Sequence, residues 1–121
     1  MKEIMAIIRP KQVGKTKEVL EKLGFPGLTA VSVLGRGKQR GIAGEVTCEL
    51  PENLQGAPGG MKYVPKRLIA LVVPDADVDL VVKAIIAVNQ TRQFGDGRVF
   101  VSPVDNAVRI RTNEEGDAAL K

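Results

Sequence analysis

The sequence predicts an α+β fold of the ferredoxin-like βαββαβ type, and three observations carry that prediction. Two Ile-, Leu- and Val-rich runs, at residues 2–9 and 67–73, are each followed at once by a segment with apolar residues at helical spacing. Two further β-type runs, at 28–34 and 99–104, bring the strand count to four. Glycine clusters at 35–41 and 95–97 fall where strands should meet loops.

The first strand ends at Pro10, whose fixed φ and missing N–H make it a natural terminator. Over 11–23, Val13, Thr16, Val19, Leu20 and Leu23 form one helical stripe, Lys15, Glu18 and Lys22 lie outside it, and Gly24 supplies the stop. Strand two, LTAVSVL, runs into GRGKQRG. Residues of about 38–64 show no clear period and include Pro51, Pro58, Gly59 and Gly60, so they read as a long loop. Connections of that length in a compact domain need a purpose. After strand three, Pro74 and Asp75 open a second helix with Val78, Val81, Val82, Ile85 and Ile86 on one face. Past strand four, Val108 and Ile110 alternate with Arg109 and Arg111, which predicts a short extended segment with both arginines on one face, followed by a tail of about 112–121. Residues 1–121 read as a single domain.

Composition narrows the function. The chain has three Phe, one Tyr and no Trp, so its core must be aliphatic. One Cys and no His argue against an internal disulfide, a structural zinc site and His-based catalysis. The longest apolar runs fall far short of the roughly 20 residues that span a bilayer, and the first residues read as a strand instead of a signal peptide, so a cytoplasmic location without membrane insertion is expected. The net charge is +4, but residues 42–61 hold Glu45, Glu49 and Glu52 without a Lys or Arg. That segment is an acidic insert in a basic body.

In the predicted topology both helices cover one sheet face, whereas strands one and three are apolar at nearly every position. The second face needs a cover, and self-association supplies one without further helices.

Each glycine cluster carries cations: Arg36, Lys38 and Arg40 in the first, Arg98 in the second. Glycines let successive backbone N–H groups turn toward a phosphate, although either cluster alone also reads as an ordinary turn. With Arg109 and Arg111 they could clamp a polyphosphate between subunits. Gly14, Lys15 and Thr16 open a helix after a strand as a P-loop does, but the first glycine of that motif would stand at Arg9. GRGKQRG misses the dinucleotide fingerprint and leads into a loop, so no Rossmann site is implied.

GRGKQRG at 35–41, YVPKRL at 63–68, GDGRVFV at 95–101 and VRIRTNEEGDAAL at 108–120 together resemble the PII signal-transduction proteins over essentially the whole chain, and most closely their nitrogenase-regulating NifI branch. The resemblance implies a homotrimer, or a hetero-oligomer with a paralogue, with a ligand cleft between neighbouring subunits. ATP or ADP would contact Ile7, Thr29, Gly35, Gly37, Lys38, Gln39, Gly95, Asp96, Gly97, Arg98, Arg109 and Arg111. The effector 2-oxoglutarate would contact Arg9, Gly37, Gln39, Arg40, Gly41 and Lys66, with Mg²⁺ held by Gln39 and ligand oxygens. Glu45, Glu49 and Glu52 would lie on the partner-binding loop, or be merely solvated.

Two departures stand out. The family loop commonly carries a tyrosine near its tip, whereas Tyr63 sits at the loop base here, and Ala70 replaces a common acidic residue of strand three. The implied target is a nitrogenase component, with an ammonium transporter or glutamine synthetase as alternatives. A ferredoxin-like RNA-binding module is the remote alternative, disfavoured by the scarcity of aromatics. Enzymatic activity is limited to at most a slow ATPase side reaction. Cys48, without an identified activating group, reads as an inert loop thiol.

Overall fold

A computed structural model describes residues 1–37 and 63–121. In chain order they form β1 (Lys2–Ile8), α1 (Val13–Lys22), β2 (Thr29–Gly35), β3 (Val64–Val73), α2 (Val78–Asn89) and β4 (Arg98–Pro103). Short 3₁₀ turns at Pro10–Gln12 and Asp75–Asp77 lead into the two helices, and a third spans Gly116–Leu120. The strands make one antiparallel sheet in the order β2-β3-β1-β4. This is the ferredoxin-like α+β arrangement the sequence predicts.

Burial alternates along β1: Ile4, Ala6 and Ile8 are sealed under the helices, while Met5 and Ile7 turn to the other face. Ile69, Leu71 and Val73 of β3, Leu20 of α1, and Val81 and Ile85 of α2 complete the core. No aromatic residue is among its buried members, as the composition requires. Gly24 ends α1 at φ +96, and its N–H and that of Phe25 reach back to the carbonyls of Glu21 (3.0 Å) and Leu20 (2.9 Å), a Schellman closure. Where the helices meet, Asn89 donates from Nδ2 to Thr16 Oγ1 (3.0 Å) and to the Ile85 carbonyl (2.9 Å). The Thr16 hydroxyl donates in turn to the Gln12 carbonyl at 2.7 Å. Thr16 is thus a helix-to-helix fastener, not the end of a phosphate loop.

Strand three begins at Val64, earlier than the expected residue 67. The extension pairs with β2 alone, because β1 has already ended with Ile8 opposite Arg67. Pro65 therefore stands on a local edge, where its missing N–H is tolerated.

The face away from the helices is not sealed within one chain. Cross-strand partners line up there in two rows, Val31–Leu68–Ile7–Arg98 and Thr29–Ala70–Met5–Phe100. Val31 and Phe100 are 48% and 45% exposed. The aliphatic character of β1 and β3 thus exceeds what one chain buries.

Ile85→Ala should destabilise the protein by about 2–5 kcal/mol, because it removes buried methyl groups from a close-packed site and leaves a cavity. Urea unfolding followed by circular dichroism measures this.

Candidate functional site

The turn between α2 and β4 contains three residues in left-handed backbone, Arg92 (φ 67), Gly95 (φ 96) and Gly97 (φ 109). A chain so bent needs local bonds to hold it, and Asp96 supplies them. Its Oδ2 accepts the backbone N–H groups of Thr91 (2.7 Å) and Arg92 (2.8 Å). Its Oδ1 accepts the Thr91 hydroxyl (2.5 Å) and Arg9 Nη1 (2.8 Å). Arg9 also donates from Nη2 to the Phe94 carbonyl at 3.0 Å. The end of β1 and the turn are thereby tied together. Partial burial pushes the Asp96 carboxyl upward, but the Thr91, Arg9 and Arg92 donors outweigh it and hold the carboxyl at about 2.

Each glycine has a separate reason. A Cβ on Gly97 would stand 1.8 Å from the Ile7 carbonyl oxygen, so this glycine lets the turn lie directly on β1. A Cβ on Gly35 would meet Lys66 Cγ at 3.3 Å, whereas one on Gly37 would meet nothing within 4 Å among the described residues. Gly97 thus serves the fold itself.

Lys66 is 7% exposed, and its Nζ donates to the Gly95 carbonyl at 2.6 Å. Read on its own near a strand start, such a lysine would ordinarily be a solvated charge. The structure instead makes it a brace between the first residues of β3 and the glycine turn. Arg36 lies over the Tyr63 ring, 5.8 Å from its centroid, so this tyrosine packs at the base of the β2–β3 connection. At one end of the sheet the chain gathers Ile7, Arg9, Gly35, Lys66 and the turn Gly95–Arg98.

Thr29, Arg109 and Arg111 are placed differently. Thr29 pairs with Ala70 and Gly35 with Val64, so six residue steps, about 20 Å of strand, separate them. Arg109 and Arg111 follow the far end of β4, and the extended segment expected over 108–111 is not formed. Val108 makes only an isolated bridge with Glu115, and the chain between them turns. Hydrogen bonds from Thr112 (3.3 Å) and Asn113 (2.8 Å) to the Arg109 carbonyl, with Asn113 at φ 61, close that turn. The two arginines therefore do not share one strand face. Arg109 is half-buried and pairs with Glu114 at 2.8 Å, whereas Arg111 is exposed. None of their hydrogen bonds among the described residues reaches the glycine turn.

Lys38, Gln39, Arg40, Gly41, Glu45, Cys48, Glu49 and Glu52 lie outside the described residues, and with them the implied Mg²⁺ ligand. Among the described residues no group of His, Cys, Asp or Glu side chains could hold a metal ion, and no helix is long and apolar enough to cross a membrane. Thr91, which contributes two of the four donors to Asp96, went unrecognised in the sequence. Only its position just past α2, five residues before an aspartate, could have pointed to it.

These features define a class: a ferredoxin-like domain whose glycine turn is braced by Arg9 and the buried Lys66 at the sheet end where the β2–β3 connection departs. The chain belongs to the P-II family, since the model described as nitrogen regulatory protein P-II matches residues 1–114. It is 54% identical over 121 residues to the nitrogen fixation nifHD region GlnB-like protein 2 of Methanobacterium ivanovii, with 99% of each chain covered. The protein of the same name from Methanothermobacter marburgensis is 55% identical, covering 99% of this chain and all of the relative. The nitrogen regulatory protein P-II 2 of Methanothermobacter thermautotrophicus is 44% identical over 120 residues, covering 99% and 97%. This protein is thus a P-II nitrogen regulatory protein close to the nifHD region members, in line with the NifI-like resemblance.

The low pKa of Asp96 has a consequence for acid stability. The unfolded carboxyl takes up its proton near 3.8 and the folded one near 2. The stabilisation is fully present above about pH 4 and is lost as pH falls toward 2. The stability gap between wild type and Asp96→Asn should be widest above pH 4 and close toward pH 2, as measured by thermal unfolding across that range.

Proposed function

We propose that this protein is a cytoplasmic sensor of 2-oxoglutarate and ATP or ADP that controls a nitrogen-fixation component, with nitrogenase as the target, through its β2–β3 connection. The observation that carries this reading is the Lys66 bond to the Gly95 carbonyl. It makes the glycine turn and the base of that connection one unit, so a ligand seated on the turn also acts on the place where β3 starts.

A second copy of the chain completes the nucleotide site in this reading. About 20 Å of strand separates Thr29 from Gly35, so a ligand that uses both ends of the residue set draws them from two chains. Gly35, Gly37, Gly95–Arg98 and Ile7 form one half-site. Thr29, Arg109 and Arg111 of the neighbour form the other. The unsealed row of Val31, Leu68 and Ile7 supports a trimer in which that face is covered.

Arg98 is exposed, and no described residue lies within 4 Å of where a Cβ on Gly37 would stand, so in this reading both meet phosphate oxygens. Mg²⁺ would neutralise part of the charge when 2-oxoglutarate lies beside a polyphosphate, with Gln39 contributing an amide oxygen. Asp96 and Arg9 act indirectly in this scheme. Their hydrogen bonds are spent on the turn, and they keep it in shape for the ligand.

In this reading effectors act at the base of the connection and the partner binds the connection itself, so the two bindings are coupled. Partner binding then changes effector affinity by the same factor as the reverse. Calorimetric titration should show 2-oxoglutarate binding that depends on MgATP. Equal affinity with and without MgATP would contradict the scheme.

A further inference from the structure

Arg109 is already occupied by the chain that follows it. Its Nη1 donates to Glu114 Oε1 at 2.8 Å, and its Nη2 donates to the Ala118 carbonyl at 3.2 Å and to the Lys121 carbonyl. A guanidinium offers two forks to a phosphate or carboxylate, Nε with Nη2 and Nη1 with Nη2. Both forks need Nη2, and both of its hydrogens are committed to the tail. Arg111, two residues on in the same RIR sequence, makes no hydrogen bond or ion pair among the described residues and is exposed.

The tail is directed onto Arg109 by specific geometry. Glu114 returns its carbonyl to the Arg109 N–H (2.8 Å), and Val108 bridges to Glu115. Gly116 then turns at φ +67, its N–H held by the Ala107 carbonyl (3.0 Å) and Asn106 Oδ1 (3.2 Å). The 3₁₀ turn Gly116–Leu120 starts there and carries the two capping carbonyls back.

We infer that residues 114–121 are an intrinsic competitor for Arg109, a latch that a nucleotide polyphosphate must displace before Arg109 can grip it. The inference rests on the proposed role of Arg109 in nucleotide binding. Arg111 stays open in the latched form and offers the incoming phosphate its first contact. The latch also screens ligands: a monoanion that gains only Arg111 cannot offset the loss of three hydrogen bonds at Arg109, whereas a polyphosphate reaching both arginines can. Apparent affinity is lowered by the fraction of molecules in the latched form.

Calorimetric titration of the full chain with MgATP tests this using three variants. Gly116→Pro fixes φ near −65° and removes the N–H that anchors the turn, so it redirects the tail. Glu115 ahead of it is already extended, at φ −121 and ψ 164, as a residue before proline should be. Glu114→Gln removes the charge opposite Nη1 while conserving size, and it carries the test should the proline variant fold poorly. Gly116→Pro should tighten MgATP binding by about three- to tenfold, which corresponds to a latched fraction of roughly two thirds to nine tenths. Glu114→Gln should shift affinity in the same direction by less, and Arg109→Ala should weaken it. If Arg109→Ala weakens binding but neither latch variant strengthens it, the latch is wrong and the nucleotide reading stands. If Arg109→Ala leaves affinity unchanged, Arg109 does not serve the nucleotide and both statements fall.

Discussion

The carboxylate of Asp96 is the interaction on which the rest of the site depends. One side chain gathers the N–H groups of Thr91 and Arg92, the Thr91 hydroxyl and the guanidinium of Arg9. It thereby fixes a turn that passes through three left-handed residues. Charge-assisted bonds of this kind are the strong ones, and here they converge on a partly exposed group that stays ionised down to about pH 2. The turn lies on β1 because Gly97 has no side chain to meet the Ile7 carbonyl. Lys66 then joins the same turn to β3.

A consequence of this bracing is a division of labour among charged residues that look alike in the sequence. Arg9, Lys66 and Asp96 are spent on the protein itself, and they set where its backbone lies. Arg98 and Arg111 are exposed. Arg109 stands between these groups, charged and half-buried but held by residues that follow it.

The fold was legible because its signals were periodic. Helical spacing in α1 and α2, the apolar runs of β1 and β3, and the stops at Pro10 and Gly24 all follow from local chemistry, and the structure keeps them. The tail was misread because alternation of Val108, Arg109, Ile110 and Arg111 is equally consistent with a turn. What decides is the Asn113 and Gly116 backbone and the Glu114 contact, none of which alternation records. The bonds of Lys66 to Gly95 and of Arg9 to Asp96 are not legible in the sequence, because partners 29 and 87 residues apart leave no local pattern. That the proposed nucleotide residues fall at two ends of the sheet follows from the β2–β3 register, which no local pattern records.

The central claim is that the glycine turn and the start of β3 respond to effectors as one unit. Amide hydrogen exchange, read residue by residue with and without MgATP plus 2-oxoglutarate, tests it most directly. The account predicts that protection of Gly95–Arg98 and of Val64–Arg67 rises together and by similar factors. A change confined to one of the two segments, or to neither, would contradict it.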